Sequence, residues 1–138
     1  KLPPFINLGK LGLNLGLQGM QFTATSTVAE NQTLSYPMYL HSISNNNDNQ
    51  DIVSMGCNAA LLTKRVIDNS FDVLAVQALA LAQAIDYLNC QSRMSSFTHK
   101  FFDEIRALVP PIVEDKSRYN DIQKIRKFLI RLGSSTPI

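Results

Sequence analysis

A chain of 138 residues is long enough for one modest domain with its own core. Apolar residues make up 45 %, as in globular proteins, and a formal charge of +2 gives no electrostatic case for nucleic acid or an anionic membrane. Two cysteines, Cys57 and Cys90, lie far apart and outside any C-x-x-C pair. That argues against a disulfide framework or a zinc site, and reads as two buried or half-buried thiols in a reducing cytoplasm. The chain opens on Lys1 without an initiator Met, as processing or excision would leave it, and shows no signal-peptide pattern.

In chain order, residues 1–17 read as a loop, opened by Pro3-Pro4 and punctuated by Gly9, Gly12 and Gly16. These glycines match neither a phosphate-binding loop nor a dinucleotide fingerprint. A helix is expected over 18–35, although Thr23, Thr25, Ser26 and Thr27 are mediocre helix formers, and Tyr36-Pro37 ends it. Residues 36–53 form a loop whose Asn, Asp and Ser residues compete for backbone hydrogen bonds; composition alone makes it a mobile polar connector.

A long helix is expected over 54–89, about 54 Å at ~1.5 Å per residue. Its stretch Val73–Ile85 has no charge, and its only polar residues are Gln77 and Gln83. That run falls short of the ~20 residues of a bilayer span. It is apolar nearly all round, so it needs cover on every side, more than so small a domain supplies. The Ala-Leu alternation at 78–82 would let backbones approach closely. Two shorter helices fill 95–132. Phe97, Phe101, Ile105 and Leu108 share one face before Pro110-Pro111, and Ile122, Ile125, Leu129 and Leu132 share another. Asn120 with Gln123 resembles a capping box, Gly133 a C-terminal stop, and 133–138 a frayed tail. With no repeat and no convincing strand, the expected fold class is all-α.

No self-sufficient active site is legible. His41 and His99 have neither metal-ligand spacing nor a motif serine nearby, and read as solvated. Lys124, Arg126, Lys127 and Arg131 read as a solvated face balanced by Glu114, Asp115 and Asp121.

Five segments carry a resemblance instead. They are Leu2-Pro3-Pro4-Phe5; Gly12-Leu13-Asn14-Leu15-Gly16, close to G-L-N-S-G with Leu15 in place of serine; Ala29-Glu30-Asn31-Gln32; Asn49-Gln50-Asp51-Ile52-Val53-Ser54-Met55-Gly56; and Leu74-Ala75-Val76 with Ala82-Gln83-Ala84-Ile85-Asp86. Glu114-Asp115 through Asp121-Ile122 also fits. In this order they resemble the C-terminal quarter of the histidine/phenylalanine/tyrosine ammonia-lyase family, with overall similarity closest to histidine-type members. The fourth segment is the specific one.

The resemblance implies a helical-bundle fold and elimination of ammonia from an aromatic L-amino acid to give an arylacrylate, or an amino-group shift as in the related aminomutases. It implies a 4-methylidene-imidazol-5-one (MIO) electrophile made from an internal Ala-Ser-Gly. No Ala-Ser-Gly occurs in these 138 residues, so the group would form elsewhere in the intact parent, and the isolated piece is expected to be inactive. Its implied partners are the N-terminal remainder of the same enzyme and further copies in a cytoplasmic homotetramer, with no nucleic acid and no membrane. The alternative is a non-catalytic helical oligomerisation domain.

The implied pocket residues are Asn49 and Gln50, as orienting groups and not general bases, because a neutral amide only donates and accepts hydrogen bonds. Histidine lyases resemble this segment with Gln-Glu at that pair and a histidine where Ile52 stands. Phenylalanine and tyrosine lyases have Asn-Gln. Asn46 takes the place of a glutamate in the phenylalanine enzymes and, with Gln18, is a substrate-binding candidate. Asp51 and Ser54 are expected to be structural, Asp51 by capping the long helix.

Overall fold

The computed structural model describes residues 1–135. Its helices are α1 (Gln18–Leu34), α2 (Gly56–Leu88), α3 (Ser96–Leu108) and α4 (Tyr119–Ser135), with short 3-10 turns at Pro4–Ile6, Met38–His41 and Gln91–Arg93. The fold is all-α. Among the described residues the only β pairing is an isolated antiparallel bridge between Asn45 and Gln50.

Helix α2 is the spine. Its small face Ala75, Ala78, Leu79 and Ala82 repeats at three- and four-residue spacing and is buried. Onto it pack Leu17 just before α1 and Met20 in its first turn, Phe102 and Ile105 from α3, Val109 and Ile112 from the connector after α3, and Ile125 from α4. Alanines there let the neighbouring backbones close in. Helix α1 runs antiparallel to α2, as shown by Glu30 bonding Arg65 and Asn69 at its far end. The threonines of α1 are accommodated by local bonds: Thr23, Thr25, Thr27 and Thr33 each donate a hydroxyl to the carbonyl four residues back. Toward the end of α1 the α1–α2 seam carries polar contacts, with Asn69 Nδ2 donating to Asn31 Oδ1 (2.9 Å) and Glu30 Oε2 (3.0 Å).

Several elements differ from what the sequence predicts. Helix α2 begins at Gly56 behind Met55, which sits in the left-handed region at φ 52° and offers no side-chain cap. Asp51 therefore does not cap it. The helix closes on Asn89, also left-handed, whose N–H bonds the carbonyls of Ile85 and Asp86. On α3, Phe97 is exposed and Phe102 is buried in its stead, because the inward face runs Phe102–Ile105–Val109. Asn120 and Gln123 make no capping box. Helix α4 already starts at Tyr119, and Gln123 Nε2 reaches across to Asp72 at 3.2 Å.

Gly133 does not stop α4, which continues to Ser135. An interior glycine weakens a helix by only ~1 kcal/mol, and Ser134 bonds back to Ile130. The rest of the expected tail, 136–138, lies outside the described residues. Arg126 is not part of a solvated face: it is 20 % exposed and pairs with Asp68 (2.8 Å) and Asp72 (3.3 Å) of α2. Cys57 is exposed rather than buried. Taken whole, α2 is long and apolar enough to cross a membrane by length and composition, with a mean hydropathy of 1.4 over its best stretch, so counting only Val73–Ile85 understates it. Its buried Asn69 and Gln83 are bonded to the other elements of this fold.

Candidate functional site

The loop between α1 and α2 is a folded turn rather than a featureless connector. Asn46, Asn47 and Asp48 all take positive φ (55°, 54° and 60°), a conformation Asn and Asp tolerate better than other residues with a side chain. Asn45 and Gln50 exchange backbone hydrogen bonds at 3.0 and 3.3 Å and close the turn. Inside it, Asn49 N–H donates to the Asn46 carbonyl (3.2 Å) and Ser44 Oγ donates to Asp48 Oδ1 (2.6 Å). The run of Asn and Asp that reads as disorder by composition is thus what three successive left-handed residues require.

Ser42 braces the returning segment. Its hydroxyl donates to the Asp51 carbonyl (3.3 Å) and accepts from Val53 N–H (2.7 Å), fixing the stretch that carries Gln50, Asp51 and Ile52. Sequence reasoning missed Ser42, since a serine in a polar loop gives no signal of its own. The Asn49–Gln50 pair leaves the turn with its backbone tied down and its side chains exposed. Among the described residues the side-chain amides of Asn46, Asn49 and Gln50 take no hydrogen-bond partner. Three amides on a braced turn can orient a ligand by donating and accepting, but cannot exchange a proton with it near neutral pH. Ser54 stands beside Gly56 at the helix entrance, exposed, with its Oγ 3.7 Å from where a side chain on Gly56 would begin.

Gln18 stands apart. It is the first residue of α1, half-buried, while the turn follows the far end of that helix, ~25 Å away along a 17-residue rod. No hydrogen bond or ion pair joins it to Asn46, Asn49 or Gln50 among the described residues.

The segment ahead of Gln18 is built with care. Asn7 is buried and donates to the Asn14 carbonyl (2.6 Å) while accepting from Gly9 N–H (2.8 Å); Asn14 accepts from Lys10 N–H (3.0 Å). Gly16 sits at φ 62°, where a side chain would meet the Phe5 carbonyl at 2.8 Å. Beyond it, a cavity of about 420 Å³ opens between this segment, the start of α1 and residues 112–119.

The family model described as aromatic amino acid lyase matches residues 1–107. The chain is 38 % identical to the MIO-dependent tyrosine 2,3-aminomutase of Streptomyces globisporus, covering 94 % of this chain and 24 % of that protein. It is 35 % identical to a tyrosine ammonia-lyase of Cupriavidus metallidurans, covering 96 % and 25 %. The crystal structure of histidine ammonia-lyase from Trypanosoma cruzi superposes with a TM-score of 0.86 at 32 % identity, covering 96 % of this chain and 26 % of that one. The chain thus spans about a quarter of the length of the relatives it matches.

Proposed function

The chain belongs to the aromatic amino acid lyase family, and we propose that it is the C-terminal part of an enzyme that eliminates ammonia from an aromatic L-amino acid to give an arylacrylate. The observation that carries the substrate reading is the braced turn of Ser42–Val53. It presents Asn49 and Gln50 as free amides, and has Asn46 and Ile52 at the places where the family resemblance expects the glutamate of the phenylalanine enzymes and the histidine of the histidine enzymes. An amide pair suits a neutral aromatic ring or phenol; a carboxylate would suit the cationic end of histidine chemistry. Tyrosine or phenylalanine is therefore favoured over histidine.

In the intact enzyme the MIO group would form upstream of these residues, and when bound it supplies the electrophile that makes the amine or ring a better reactant. Asn49 and Gln50 hold the substrate or that group by hydrogen bonds, Asn46 and Gln18 contact the substrate, and Ser42 and Asp51 keep the turn in register. Because Gln18 and the turn stand at opposite ends of α1, one complete pocket draws on more than one copy of the chain. A cytoplasmic homotetramer whose core is built on α2 is the assembly that fits. The similarity to a tyrosine 2,3-aminomutase supports a second reading, in which the amino group is shifted and not lost.

The test uses the full-length enzyme with tyrosine, phenylalanine and histidine, reading arylacrylate by absorbance and β-amino acid by chromatography. The expected result is arylacrylate from tyrosine or phenylalanine with kcat/KM at least about tenfold above that for histidine, a difference of ~1.4 kcal/mol in transition-state binding. A preference for histidine sinks the substrate reading, and a β-amino acid as main product replaces the lyase by the mutase. The 138-residue chain assayed alone is expected to form neither.

A further inference from the structure

The last stretch of the chain lies beyond the residues matched by the family model, yet it is tied to the segment that delivers Gln18. Helix α1 has no side-chain cap: Leu17 precedes it without one. Its entrance is set by bonds from outside. Leu17 N–H donates to the Phe5 carbonyl at 3.0 Å, and Leu15 N–H donates to Asp115 Oδ2 at 2.8 Å, across a hundred residues of sequence. The strap that carries Asp115, residues 109–118 between α3 and α4, approaches the segment a second time, where the Val113 carbonyl stands so close to Gly9 that no side chain would fit there.

The strap itself is anchored to the spine. The buried Gln83 side chain donates to the Ile112 carbonyl (2.6 Å) and accepts from Ile112 N–H (3.0 Å), and Arg106 holds the Val109 carbonyl (3.1 Å). Arg118 closes its far end by donating to the Glu114 carbonyl (2.7 Å). The strap thus runs from a rigid support to a backbone N–H three residues before Gln18.

We infer that Asp115 is a positioning residue for the substrate pocket: through Leu15 N–H it fixes the entrance of α1 and so the placement of Gln18. This rests on the reading of Gln18 as a substrate contact. It also accounts for Leu15 where the family pattern has serine. The strap grips the backbone at that position, and the side chain is 62 % exposed, so its identity is free to change.

The experiment compares Asp115→Ala, Asp115→Asn, Leu15→Ser and Gln18→Ala in the full-length enzyme. It also follows amide hydrogen exchange at Leu15 in the same full-length enzymes. Asp115→Ala is expected to raise KM for the aromatic substrate about tenfold with kcat changed less than about twofold, the signature of a weakened contact made equally in ground and transition states. Asp115→Asn keeps an accepting oxygen and is expected to rescue KM, and Leu15→Ser to leave it unchanged. Leu15 N–H is expected to lose protection in Asp115→Ala while amides in the middle of α2 keep theirs. If Gln18→Ala raises KM and Asp115→Ala does not, the positioning role is overturned while the site reading survives. If Gln18→Ala leaves KM unchanged, Gln18 is no substrate contact and the inference falls with it. Retained protection of Leu15 in Asp115→Ala overturns the tie itself.

Discussion

Gln77 and Gln83 interrupt the same apolar run, and nothing in the sequence tells them apart. The structure separates them completely. Gln77 is exposed. Gln83 is fully buried and saturates both backbone groups of Ile112, with Arg106 Nη2 at 3.5 Å from the same amide oxygen. Gln83 is a satisfied buried polar group whose partner arrives from the strap after Pro110-Pro111, and a long-range partner of this kind leaves no local signal. Replacing it by leucine keeps the volume but leaves the Ile112 N–H and C=O buried without partners. The expected destabilisation is about 3 kcal/mol, from ~1–3 kcal/mol for each orphaned group. Gln77→Leu is expected to change stability by less than ~0.5 kcal/mol. Urea unfolding of both variants measures this, and equal midpoints would refute the bracket. The candidate site residues divide the same way. A specific motif nominates Asn49 and Gln50. Ser42 and Asp115, which hold backbone, carry no such signal.

At the scale of elements, the periodicity of α3 and α4 gave their existence, and the contacts between helices set which face turns inward. The four basic residues of α4 read as one solvated strip. Only a partner helix could show that Arg126 leaves that strip to meet Asp68 and Asp72. This junction has a pH signature. The hydrogen bond from Lys64 holds the Asp68 carboxyl below its ordinary value, helped by the charges of Lys64 and Arg126 and opposed by burial. A carboxyl whose folded pKa lies below its unfolded one stabilises the fold fully above the unfolded value of 3.8. As the pH falls below that value toward the folded pKa, the contribution is lost. Asp68→Asn is therefore expected to be less stable than the parent chain at neutral pH and to converge with it in acid. Thermal unfolding at stepped pH values from neutral to below 3.8 reads this, and a constant gap throughout would remove Asp68 from the acid response.

For the whole molecule, cover is in short supply: the uncharged run of α2 is apolar nearly all round, and a chain of this length has little to give. In the fold the cover is one-sided. One face of the spine is buried by α1, α3 and α4, while Ile67, Leu74, Leu81 and Leu88 stand 47–58 % exposed on another. They are spaced by seven residues, the repeat that keeps an apolar seam on one side of a helix that packs lengthwise. So long a row of half-exposed aliphatics is more than a monomer ordinarily leaves open. The 138-residue chain alone is therefore expected to bind a hydrophobic dye and to self-associate. Leu74→Glu with Leu81→Glu is expected to abolish both without loss of helix content by circular dichroism, because neither side chain belongs to the buried core. Leu79→Ala, on the opposite, buried face, is expected instead to destabilise the chain by ~2–5 kcal/mol. Sedimentation velocity with dye fluorescence decides the matter. A parent chain that sediments as a monomer and leaves the dye dark would mean that this seam needs no partner.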